Sequence, residues 1–156
     1  MSVIESSDQT SVNTCNEWNK LMNSGDTGEW KYMQFWDVNA DDTSLNNMFY
    51  CMTTFGDFSE TYFTVLEFYH WVSSSTINES NQDALASKST ILRTLHITGM
   101  SALSSDFIDN MIDFALKILG TSSSIKFFGV SNNNLSSSQT STVVSGPVSS
   151  SSVSNY

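Results

Sequence analysis

The sequence predicts an all-α fold: a bundle of four to five helices followed by a disordered, serine-rich C-terminal tail. Three observations predict it. Apolar residues recur at helical spacing in several segments, and glycines stand where those segments should stop. The segments are joined by short loops, and no run alternates apolar and polar residues in the manner of a strand. The composition changes after Lys126, beyond which no side chain is charged. The expected organisation is therefore a flexible segment over 1–12, a helical bundle over 13–126 and an uncharged Ser/Thr/Asn-rich tail over 127–156.

The elements follow in chain order. Cys15, Trp18, Leu21 and Met22 share one helical face, and Gly25 is placed to end it. The aromatics of "EWKYMQFWDV" fit neither the helical nor the strand period and read as a short helix or an extended packing segment. In "DDTSLNNMFYCMTTFG", Asp42 or Thr43 can cap a helix whose stripe is Leu45, Met48, Phe49 and Met52, with Gly56 as its stop. "SETYFTVLEFYHWVSSS" reads as a central helix capped by Ser59 and apolar almost all round. Its aromatic and β-branched density makes a strand the competing reading. "ESNQDALASKSTILRTLHITG" reads as one helix with Ser80 as cap and Gly99 as stop, burying Leu85, Leu92 and Leu95. "SSDFIDNMIDFALKILG" carries the strongest helix signal: Ser104 or Ser105 caps it, Asp106 lies in the first turn, Lys117 in the last, and Gly120 terminates it. No internal repeat stands out.

Composition limits the function. Sixteen acids face six bases (Lys20, Lys31, Lys88, Arg93, Lys117 and Lys126) in 156 residues, for a formal net charge of −10. Generic nucleic-acid binding needs clustered Lys and Arg, so it is not expected. Cys15 and Cys51 lie outside any CxxC pair and read as two half-buried thiols, with a disulfide as the alternative. Nothing reads as a signal peptide or a membrane span, which sets the expected location as the cytoplasm of a cell or an infected host. The sequons at Asn78 and Asn134 then read as accidents of an Asn- and Ser-rich composition.

Candidate chemistry is thin. Asp37, Asn39 and Asp41 resemble the opening of a calcium loop, but Asp42 stands where Gly is needed and Met48 where a bidentate Glu should close the shell, so the segment reads as an acidic loop capping the next helix. Asp106, Asp109 and Asp113 share a helical face as an acidic stripe. His70 and His96 are flanked by core-type residues and read as packing histidines. Arg93, the only arginine, with Lys88 on the same expected helix, is a possible phosphate contact. Its other reading is a surface ion pair with Asp83 or Glu79. No GxSxG, phosphate loop or GxGxxG is present, and neither metal nor cofactor is expected. Ten Phe, five Tyr and four Trp exceed what one bundle hides easily, so Trp18, Trp30, Trp36, Phe63, Phe68 and Trp71 are the expected interface residues.

The stretch from "NQDALASKST" through "FIDNMIDFALKILGTSSS" to "STVVSGPVSS" resembles the C-terminal half of rod-shaped, tobamovirus-like plant virus coat proteins. Ile108 to Leu119 with Gly120 matches their last bundle helix, and Ser145-Gly146-Pro147 their tail. The resemblance implies a four-helix bundle whose copies stack helically. The inner arginines that hold RNA in that family reduce here to Arg93 with Lys88, so RNA packaging is not implied. The expected function is a non-enzymatic self-assembling structural protein, such as a viral coat or filament subunit. The alternatives are an acidic adaptor that binds another protein, and a small hydrolase or metal-dependent enzyme using His70, His96 and the Asp106 set.

Overall fold

The structure, a computed structural model, describes residues 2–4, 14–24, 32–54, 62–100, 102–131 and 133–145. It is an α/β fold, and the all-α expectation is corrected. Five parallel strands, β1 (Ser2–Ile4), β2 (Tyr32–Val38), β3 (Val65–Trp71), β4 (Thr94–Thr98) and β5 (Phe127–Ser131), lie side by side in chain order. Between and after them run α1 (Cys15–Ser24), α2 (Asp42–Thr54), α3 (Glu79–Ser87), α4 (Ser105–Thr121) and α5 (Ser137–Ser145).

The strands stay in register across the sheet. Tyr32, Val65, Thr94 and Phe127 form one cross-strand row, so successive units are offset by 33, 29 and 33 residues. The chain is a βα repeat in geometry, although no sequence repeat announced it. Each crossover joins neighbouring parallel strands, and a right-handed crossover puts every helix on the same face of the sheet. Consecutive helices accordingly pack on one another from α1 to α5.

Period two explains the strands. Met33 and Phe35, Leu66 and Phe68, and Leu95 and Ile97 are buried on the helix side, with Phe128 continuing the row on β5. The residues between them face away. Phe68 is the centre of this core: its ring stacks on Phe35 at 5.1 Å and meets Phe49 of α2, Phe114 of α4 and Trp71. The expected helical stripe Leu45, Met48, Phe49 and Met52 is buried, as are Phe107, Met111, Phe114, Ile118 and Leu119 of α4.

Several local expectations change. "VLEFYHW" is the strand that competed with a central helix, because only every second side chain needs burial and Glu67 and Tyr69 point away from the core. Ser59 lies outside the described residues. The single helix expected over 79–99 is α3 followed by a turn and then β4; Asn78, not Ser80, caps α3 by accepting from the Asn81 backbone N–H at 2.9 Å. Asp41 caps α2, taking the Ser44 N–H at 2.8 Å. Ser104 caps α4 as expected. Part of the expected tail is folded: Phe127–Ser131 completes the sheet, and α5 lies against α4. Residues 146–156 lie outside the described part.

Cys15 and Cys51 are joined in a disulfide that ties α1 to α2, in place of the expected thiols. Closing a loop with a sequence separation of 36 contributes about 4 kcal/mol by restricting the unfolded chain. Cys51→Ser should therefore lower unfolding stability by about that amount in urea, and alkylation of the native protein without reductant should modify no cysteine. Phe68→Ala should cost about 3–5 kcal/mol in the same assay, whereas Trp36→Ala should cost less than about 1 kcal/mol. Equal costs for the two rings would contradict the core described above.

Candidate binding face and rim cavity

The face of the sheet turned away from the helices carries no covering element among the described residues. Its rows follow from register. Gln34, Glu67, His96 and Gly129 form the middle row, and Trp36, Tyr69 and Thr98 the row toward the C-terminal ends of the strands. Rings run across it: Trp36 stacks on Tyr69 at 4.8 Å, Tyr69 meets the edge of His96 at 5.2 Å, and His96 meets Phe127 at 5.9 Å. Trp36 is 42% exposed and Phe127 38% exposed. Gly129 makes this packing possible, since a Cβ there would lie 2.8 Å from His96 Cδ2.

Glu67 sits in the middle of the face and is almost buried. Its Oε2 accepts from Gln34 Nε2 at 2.6 Å and from the Tyr32 hydroxyl at 3.2 Å. Among the described residues, no lysine or arginine forms an ion pair with it. Its charge is felt around it. Burial, reinforced by the carboxylate and a hydrogen bond to it, pushes the Tyr69 hydroxyl up to about 12. Tyr32 is raised by burial and then by Glu67. Burial pulls the His96 imidazole below its ordinary value, with Glu67 opposing.

Where the strands end, the backbone makes the same unusual turn three times. Asp37, His70 and Gly99 follow Trp36, Tyr69 and Thr98 and have φ of 49°, 57° and 81°. Stacking these left-handed residues brings the backbones close, and a Cβ on Gly99 would lie 2.7 Å from the His70 Cα. His70 Nδ1 is 2.5 Å from Asp37 Oδ1, so the imidazole donates to the carboxylate. This rim borders a cavity of about 670 Å³ lined by Trp36, Asp37, Tyr69, His70, Thr98 and Gly99, among others. The sequence marked Trp36 as an interface residue and noted Asp37 and His70 for other roles, but missed Tyr69, Thr98 and Gly99. The signal that could have found the face is the pattern Met33-x-Phe35, Leu66-x-Phe68, Leu95-x-Ile97 followed two residues on by Asp37, His70 and Gly99.

The other expected site residues lie elsewhere. Trp18, Phe63, Phe68 and Trp71 are at most 1% exposed, inside the core. Trp30 lies outside the described residues. The acidic stripe runs along the seam between α4 and α5, where Asp109 accepts from Gln139 Nε2 at 2.7 Å and Asp113 borders the same groove. Asp83 pairs with Lys117 at 2.7 Å rather than with Arg93. Lys88 is the C-cap of α3, with its ammonium 5.1 Å from the centre of the Tyr62 ring, and Arg93 lies beyond the helix at the start of β4. Asp37, Asn39 and Asp41 do not converge: Asp37 turns to His70 and Asp41 to its helix. No group of three His, Cys, Asp or Glu side chains suited to a metal occurs among the described residues.

Comparison with protein-family models, with curated proteins and with solved structures finds no match to this chain. The four-helix bundle implied by the resemblance to rod-shaped coat proteins is not the fold of this chain.

His96 makes stability depend on pH. Its folded-state value is depressed, so the unfolded chain binds the proton more tightly. The contribution is present above the ordinary histidine value of about 6.5 and is lost as pH falls below it. Urea unfolding at pH 7.5 and at pH 5 should show a loss on acidification that is smaller in His96→Gln. An unchanged loss would remove His96 as its source.

Proposed function

We propose that this chain is a non-enzymatic, protein-binding repeat module whose open sheet face takes a partner segment. The observation that carries this reading is the ring row of Trp36, Tyr69, His96 and Phe127, exposed at Trp36 and Phe127 and half-buried between them, on a sheet face that no described element covers. Aromatic side chains at the centre of a rigid surface are the usual energetic anchors of an interface, and sequential βα repeats present broad surfaces of this kind. The adaptor reading of the sequence gains from this, with the groove relocated from helices to the sheet.

Self-association was expected through Trp18, Trp30, Trp36, Phe63, Phe68 and Trp71; Trp18, Phe63, Phe68 and Trp71 are enclosed in one subunit, Trp36 stands on the open face, and Trp30 lies outside the described residues. An enzymatic reading would need His70, His96 and the Asp106 set together. They lie at the rim, in the middle of the open face and on the α4–α5 seam. The disulfide favours an oxidising compartment over the cytoplasm.

Panning a random-peptide library against the intact chain tests the proposal. Selected peptides should lose about tenfold or more in affinity for Trp36→Ala and Tyr69→Ala, and less than about twofold for Asp113→Asn on the helical side. Failure to select any peptide, or peptides insensitive to the two ring substitutions, would overturn it. Concentration-dependent sedimentation abolished by Trp36→Ala would instead make a second copy the occupant.

A further inference from the structure

We infer that the rim cavity receives the cationic side chain, arginine or lysine, of the bound protein segment, an inference that rests on the open face being the binding surface. The charges are distributed for it. The face carries a carboxylate at its centre, Glu67, and another at its C-terminal rim, Asp37, whose side chain is 54% exposed. Among the described residues, no lysine or arginine lines the cavity. Three of the six bases lie toward the opposite edge, where Arg93 and Lys126 precede β4 and β5 and Lys88 caps α3. A segment lying along the strands therefore meets positive charge at one end and negative charge at the other, and its own cation belongs at the rim.

The cavity wall suits that cation chemically. The stacked Trp36 and Tyr69 rings offer π surface beside the Asp37 carboxylate, and a guanidinium or ammonium gains from both at once. The His70 Nδ1 contact with Asp37 Oδ1 fixes the carboxylate at the rim. The left-handed backbone at Asp37, His70 and Gly99 sets this rim without relying on long flexible side chains. The volume, about 670 Å³, takes such a side chain together with adjoining backbone. The overall charge of −10 adds a long-range attraction for a basic partner.

The test uses a short fluorescent peptide with two arginines flanking a phenylalanine, and its uncharged citrulline counterpart, in anisotropy titrations of the full chain. The arginine peptide should bind at least about fivefold more tightly than the citrulline peptide. Asp37→Asn, which tolerates the left-handed backbone, should remove most of that preference, and Asp113→Asn, which deletes the same charge from the helical side, should change affinity less than about twofold. Equal binding of the two peptides to the unaltered chain, or equal losses in Asp37→Asn and Asp113→Asn, would overturn the inference. So would failure of the arginine peptide on a chain that holds library peptides at the same face. Library peptides that need Trp36 but lack cations would leave the binding face standing and remove only the cation.

Discussion

In a parallel sheet laid down in chain order, right-handed crossovers cover one face and leave the other to be covered by something else. The covered face supplies the stability. Phe68 concentrates it, with rings from β2, α2, α4 and its own strand closing around one side chain. Because each repeat contacts mainly its neighbours, the middle repeats carry the core, and the terminal elements add to it from one side. The disulfide between α1 and α2 reinforces the N-terminal end of this array.

The uncovered face follows from the same connectivity. Its side chains are organised, although no helix among the described residues packs on them. Glu67 is surrounded by neutral donors, Gly129 makes room for His96, and rings from four strands run from Trp36 to Phe127. A nearly buried carboxylate held, among the described residues, by tyrosine and glutamine is costly unless the site uses its charge. Near the C-terminal ends of β2, β3 and β4, one left-handed residue each (Asp37, His70 and Gly99) bends the chain and leaves a rim lined by Asp37 and His70. Stability and the proposed recognition thus fall on alternate residues of the same strands.

The helices were legible in the sequence where amphipathic spacing and caps agreed: Leu45, Met48, Phe49 and Met52 were read as the inward stripe of one, and Ser104 and Gly120 as the ends of another. The strands were not. β3 is dense in rings on both faces, so its period of two is hidden, and Trp71 and Phe68 looked like flanks of a helix. β4 alternates for only five residues and follows α3 after a short turn, which let it pass as helix. The repeat escaped notice because equivalent positions hold Met33, Leu66, Leu95 and Phe128, alike in burial but not in identity. Asp37, His70 and His96 were noted for other roles; of the proposed binding face, only Trp36 was read from sequence as an interface residue. Its neighbours come from strands about thirty residues apart, and the tight pairing of Asp37 with His70 depends on register, which composition does not encode.

Hydroxyl-radical footprinting of the full chain, read by mass spectrometry at individual rings, tests most directly whether the sheet has an organised face open to solvent. Trp36 and Phe127 should be oxidised readily, while Trp18, Phe68 and Trp71 stay protected until the chain unfolds. Protection of Trp36 in the free monomer, or oxidation of Trp71 and Phe68 at the same rate as Trp36, would contradict the architecture and the binding face built on it.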